Sequence, residues 1–71
     1  MIPLNSTALR SFSYDEEHQL LWVEFPNGEV YQYNSVPDGI VQGLVLAESH
    51  GDYFNQFIRD EFPYAQVYQA A

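Results

Sequence analysis

Ser49, His50 and Asp52 bring a hydroxyl, an imidazole and a carboxylate within one stretch of four residues. That combination invites a hydrolytic triad. Triad members must converge from separate parts of a chain so that the three groups line up, which neighbours on one turn do not do. Ser49 or Asp52 reads better as a helix cap, His50 as an exposed residue, and Gly51 as a turn position able to take a positive φ. His18 and His50 stand far apart, with no His-x-x-x-His spacing and no cysteine to complete a metal site. The chain is therefore read as a non-enzyme, without catalytic residue, metal or cofactor.

Other residues suggest binding. Asn55 stands between aromatic residues in an amphipathic stretch. Its amide is expected to bond to a backbone group of a turn or of the sheet, since buried polar groups are paired. The alternative is a ligand contact beside Tyr31 or Tyr33. Those tyrosines alternate on one strand face, and their hydroxyls need partners too. Ser49, Asn55 and the two tyrosines could satisfy one another. Trp22 falls on the opposite sheet face with Leu20 and Val30, an apolar patch that a monomer would rather cover. The leader (Ile2, Leu4) or the segment from Tyr64 to Tyr68 would cover it. Otherwise it is a surface for a partner or a second copy, where tryptophan is enriched.

The elements that position these residues follow from periodicity. Residues 20–25 alternate as a half-buried strand, and Val30 to Tyr33 read as its return strand. Asn27-Gly28 is expected to supply both positive-φ positions of a tight hairpin turn. Residues 8–14 form a first strand with Phe12 and Tyr14 on one face. Leu9 has the wrong parity, so a bulge or a late start is needed if it is buried. Asp15 to Gln19 is a charged turn. Pro37 suits the first turn of a helix over 37–48, capped by Ser35 or Val36. Its stripe is Ile40, Leu44 and Ala47, widened by Val41 and Val45, which lie under a second helix or at an interface. Internal glycines such as Gly43 usually mark close packing. A second helix over 53–62 carries Phe54, Ile58 and Phe62 on one face and ends at Pro63. Residues 1–6 are an extended leader, Tyr64 to Tyr68 an extended tail that could cross the core, and Gln69, Ala70 and Ala71 are expected to fray. The fold class is α+β: a three-stranded antiparallel meander followed by two helices on one sheet face, β-β-β-α-α.

Seventy-one residues make one domain, 1–71, with a core of about 5–68. Aromatics make up 17% of the chain and offset its small size. The N-terminus has neither the basic region nor the apolar run of a signal peptide, and no apolar stretch is long enough to span a membrane. Ten acids face two bases, Arg10 and Arg59, for a formal charge of −8. Such a surface repels phosphate backbones and anionic membranes. It keeps a small protein soluble, or docks on a basic partner, or imitates a nucleic acid.

The ordered set of Tyr31-Gln32-Tyr33, Val36-Pro37 and Ser49-His50-Gly51-Asp52-Tyr53-Phe54-Asn55, followed by Ile58-Arg59, resembles the KTSC domain. So does the early Asn5-Ser6-Thr7 with Tyr14-Asp15. The resemblance spans about residues 5–68. It implies a small domain found alone in bacteria and phages and at the C-terminus of some lysyl-tRNA synthetases, with no established activity. RNA binding is suggested by that association. Where members of the family carry Lys or Arg beside these motifs, this chain has His50 and Asp52, and only Arg59 is basic.

The resulting expectation is a cytoplasmic, non-enzymatic binding module for an unidentified protein or for a second copy. Nucleic acid is the alternative, disfavoured by charge, and no membrane is involved. The candidate binding residues are Trp22, Tyr31, Tyr33, Ser49, His50, Asn55 and Arg59.

Overall fold

The computed structural model describes residues 1–68; the fraying expected of Gln69, Ala70 and Ala71 lies outside them. The elements run β1 (Ile2–Pro3), β2 (Ser11–Asp15), β3 (Leu20–Glu24), β4 (Val30–Tyr33), α1 (Asp38–Leu46), α2 (His50–Phe57) and β5 (Tyr64–Tyr68). Among the described residues the strands make one antiparallel sheet in sequence order. The class is α+β as expected, but the sheet has five strands where a three-stranded meander was expected. The leader and the tail pair in the plane of the sheet, at β2 and β4. Neither folds over the Trp22 face, and the tail does not cross the core.

The meander itself is where the alternation puts it. Phe12, Val23 and Tyr31 form one cross-strand row, and Tyr14, Leu21 and Tyr33 the next. These rows face the helices. The opposite face carries the row of Ser13, Trp22, Gln32 and Ala65. The turn between β3 and β4 is longer than the two-residue type expected. Gly28 N–H donates to the Phe25 carbonyl at 2.9 Å and Phe25 N–H to Glu29 at 2.8 Å. Only Gly28 of the pair is left-handed, at φ 90°. Pro26 and Asn27 thus form an ordinary turn and Gly28 the bulge that follows it. The Asn27 side chain instead accepts from Glu29 N–H at 3.0 Å.

Leu9 is buried because the strand starts late, at Ser11. Ser6 Oγ accepts from the N–H groups of Ala8 and Leu9 and folds the chain inward before β2 begins. The charged turn after β2 closes on Asp15, whose side chain accepts from Glu17 and His18 N–H and pairs with the His18 ring at 2.7 Å.

Both helices are shorter than their apolar periodicity. α1 starts at Asp38 with Pro37 as its N-cap and no side-chain cap, so neither Ser35 nor Val36 caps it. Ser35 is instead left-handed, at φ 61°. Gly43 is covered by the ring of Tyr53, whose hydroxyl donates to the Ile40 carbonyl at 2.9 Å. Val41 is buried, whereas Val45 and Leu46 are exposed. α2 ends at Phe57, not at Phe62 before Pro63. Ile58 and Arg59 N–H both return to the Phe54 carbonyl and close the last turn. Gly51 is helical rather than left-handed, and a Cβ there would stand 2.6 Å from that of Ala8. Its use is close approach.

Leu9, Phe12, Leu21, Val23, Tyr33, Val36, Val41, Leu44, Phe54 and Ile58 form one core between the sheet and the helices. Among the described residues no helix is long and apolar enough to cross a membrane.

Candidate functional site

The loop from Phe25 to Glu29, the start of β5 and the end of α2 surround one end of the core. They leave a cleft of about 610 Å³ between them. The hairpin register brings Tyr31 and Tyr33 to its floor from β4. The β4–β5 pairing sets Tyr64 directly beside Tyr33. Its ring lies 5.5 Å from that of Tyr33 and 5.8 Å from that of Tyr31. Phe25 packs edge-on against Tyr31 and Phe54, and Phe54 edge-on against Tyr33. Edge-to-face pairs suit the ring quadrupoles, and the Tyr64 ring lies tilted, at 36° to Tyr31 and 34° to Tyr33. Asn55 and Arg59, one helical turn apart, line the α2 side.

Asn55 does not make the buried backbone bond expected of it. It is exposed, and its Oδ1 accepts from Arg59 Nη1 at a long 3.4 Å. Tyr33 is 2% exposed. Its pKa is pushed up to about 12, first by burial and then by the neighbouring Tyr64, with Arg59 acting the other way. The hydroxyl therefore stays a donor at neutral pH. Two half-buried tyrosines spend their hydroxyls on carbonyls, Tyr14 on Val36 at 2.6 Å and Tyr53 on Ile40 at 2.9 Å. Tyr33 has no such partner among the described residues.

The candidate residues thus fall into three places. Tyr31, Tyr33, Asn55 and Arg59 share the cleft. Ser49 and His50 sit apart, beside Asn5, Ser6, Thr7 and Glu48. There Ser49 Oγ caps α2 by accepting from Asp52 N–H at 3.2 Å, and His50 Nδ1 lies 2.7 Å from the Leu44 carbonyl. Both groups are turned to backbone, so the mutual satisfaction of Ser49, Asn55 and the tyrosines does not occur. His50 is half-buried rather than exposed, because it ties α2 to the end of α1. Trp22 stands alone on the far sheet face, half-buried, its Nε1 donating to Gln32 Oε1 at 3.1 Å while Gln32 donates onward to Asn34. The cleft also uses Phe25, Phe54, Tyr64 and the carboxylates Glu29 and Asp60, none of them singled out from the sequence. Tyr64 comes beside Tyr33 through the register of the β4–β5 pairing, which no side-chain pattern in the sequence carries.

Comparison with known proteins agrees with this fold. The KTSC domain family matches residues 5–62. An uncharacterised protein of Stutzerimonas stutzeri is 45% identical over 60 residues, which is 84% of each chain. A lysine–tRNA ligase of Nostoc punctiforme is 38% identical over 61 residues, 86% of this chain but 11% of the ligase. A crystal structure of a KTSC domain protein from Yersinia pestis superposes with a TM-score of 0.86 at 30% identity, over 92% of both chains.

Proposed function

This chain belongs to the KTSC domain family, and from that premise we propose that it is a non-enzymatic binding module that holds a protein segment in the Tyr31–Tyr33–Tyr64 cleft. One observation carries the reading. A cleft walled by packed aromatic rings is lined by a tyrosine that otherwise belongs to the core. Concave, mostly apolar sites with a few convergent polar groups are the usual form of binding sites. The cleft presents aromatic faces, one guanidinium, the amides of Asn27 and Asn55 and the carboxylates of Glu29 and Asp60. No serine, cysteine or histidine stands among them to make a nucleophile with its base, so we read them as anchors. The same reading places the module in the cytoplasm, where a domain shared with lysine–tRNA ligases would work.

A nucleic-acid role draws on that same kinship, and tyrosine faces do stack on single-stranded bases. The formal charge of −8, with one cation in the cleft beside Glu29 and Asp60, weighs against it.

Selection of displayed random peptides on the immobilised domain tests the proposal, with Tyr31→Ser as the comparison surface. The expected result is a set of peptides retained by the wild type and lost by the variant. Peptides held equally by both would remove the cleft reading. Tight binding of single-stranded RNA at low salt, with no peptide enriched, would favour the nucleic-acid role.

A further inference from the structure

We infer that the cleft recognises a single carboxylate on its partner, gripped by Arg59 and received by the hydroxyl of Tyr33. The inference rests on the cleft reading above and specifies its ligand.

The first observation concerns charge. Arg59 is one of two cations in a chain with ten acids. An exposed arginine among so many carboxylates would be expected to find one. Among the described residues the basic side chain that meets a carboxylate within 4.0 Å is the ring of His18, at Asp15, and Arg59 has no carboxylate within that distance. Its hydrogen bond to Asn55, at 3.4 Å, is long and uses one N–H of five. The rest of the guanidinium fork remains available, and its planar geometry fits a carboxylate.

The second observation is independent of the first. Tyr33 is a core residue, yet its hydroxyl donates to nothing among the described residues. No side-chain oxygen there is both sealed from solvent and unpaired. The hydroxyl is therefore reached through the cleft that Tyr33 lines. A tyrosine hydroxyl is protonated at neutral pH at its ordinary value of about 10, and burial pushes this one up to about 12, so it serves as a donor and not as an anion. A guanidinium and a neutral hydroxyl facing one cleft are a donor set for an acceptor that the chain itself does not supply.

The third point is the valence of the ligand. Arg59 with Glu29 and Asp60 leaves the cleft at a formal charge of −1 (one cation against two anions), inside a domain at −8. A carboxylate paired with Arg59 takes that charge to −2, whereas a phosphate monoester, at about −1.5 to −2 near neutral pH, takes it to about −2.5 to −3, and a phosphodiester chain repeats its charge at every nucleotide. A single carboxylate therefore meets the weakest repulsion from Glu29 and Asp60. The aromatic walls add a place for an apolar or planar side chain next to that carboxylate.

The carboxylate could be a chain terminus or an Asp or Glu side chain, and four probes separate the cases. Acetyl-alanyl-tyrosine, its amide, acetyl-aspartyl-tyrosinamide and adenosine monophosphate are titrated into the isotope-labelled domain and followed by amide shifts. At least one of the two carboxylate peptides should move the resonances of Tyr33, Asn55 and Arg59, and bind about tenfold or more tighter than the neutral amide. Which of the two binds identifies the source. Arg59→Gln, an exposed change that spares the core, should abolish that preference, and Tyr33→Phe should reduce it. If acid and amide bind the cleft equally, the carboxylate inference falls and the cleft reading stands. If adenosine monophosphate binds more tightly than either peptide, phosphate is the ligand chemistry and the inference falls. If no probe moves a cleft resonance and display-selected peptides ignore Tyr31→Ser, both fall together.

Discussion

Two glycines of α1 should respond to the same substitution with opposite signs. A Cβ at Gly43 would stand 2.6 Å from Cζ and 2.9 Å from Cε2 of Tyr53. Tyr53 cannot simply rotate away. Its hydroxyl is bound to the Ile40 carbonyl and its ring packs at a tilt against Phe57, with centroids 4.6 Å apart. Forcing an extra carbon into a packed site costs about 1–3 kcal/mol. Displacing the hydroxyl loses about 1 kcal/mol more, while alanine returns about 1 kcal/mol of helix propensity. Gly43→Ala should therefore destabilise the fold by about 1–3 kcal/mol on those terms. At Gly39 a Cβ meets nothing within 4 Å. Gly39→Ala should stabilise by up to about 1 kcal/mol, chiefly by restricting the unfolded chain. Urea unfolding of the three proteins reads the difference directly. With a slope of about 1 kcal/mol/M for a domain this small, the two variants should move the midpoint in opposite directions. In a Tyr53→Ala background, Gly43→Ala should turn neutral or stabilising. If both alanines stabilise alike, or Gly43→Ala remains harmful without Tyr53, then the packing of α2 on α1 is not as described.

The remaining predictions concern capping, alkaline pH and association. Ser49→Ala removes the side chain that caps α2 and should cost about 1 kcal/mol by thermal unfolding; an unchanged midpoint would contradict the cap. Tyr33 ionises near 10 when unfolded and at about 12 when folded, so the folded state keeps a proton that the unfolded state gives up. Its contribution is complete below pH 10 and is lost as pH rises to about 12, by roughly 2 kcal/mol. Tyr33→Phe should lack that part of the alkaline loss, and a variant that falls as steeply as the wild type would refute the assignment. If the module also pairs with its own copy, the surfaces to test are the Trp22 face and β5. β5 is an edge strand whose Tyr64, Val67 and Tyr68 are exposed and which carries no charge, the kind of edge that invites pairing. Sedimentation equilibrium should then show wild type above monomer mass, with Trp22→Glu or Val67→Lys restoring the monomer according to the surface used. A monomeric wild type would remove self-association.

The legible parts of this chain were those where alternation coincides with burial. β2, β3 and β4 have one face in the core and one outside, so Phe12, Leu21, Val23 and Tyr33 report their own geometry. β5 has no buried residue at all, and its Tyr-Ala-Gln-Val-Tyr gives the eye no alternation to follow. β1 is two residues long and contains Pro3. Both are held by backbone pairing with a neighbour, which side-chain pattern does not encode. The helix ends failed for a related reason. Phe62 packs on the core as its spacing demands, but it arrives there through turns after Ile58 rather than along a helix. Periodicity records which side chains are buried, not the backbone that delivers them. Asn55 departs in the opposite sense: its aromatic neighbours predict burial, whereas Phe54 turns inward and Asn55 is exposed at the cleft. The cleft was half legible. Tyr31, Tyr33, Asn55 and Arg59 were candidates one by one, and their convergence depended on where β5 and the end of α2 lie.

The account's central claim is that binding happens in that cleft and not on the Trp22 face. Amide shift mapping of the isotope-labelled domain with a display-selected peptide tests it most directly. The account predicts shifts concentrated at Phe25 to Tyr33, at Phe54 to Asp60 and at Tyr64, with Ser13 and Trp22 still. Shifts centred on Ser13, Trp22 and Ala65, with the cleft silent, would contradict it.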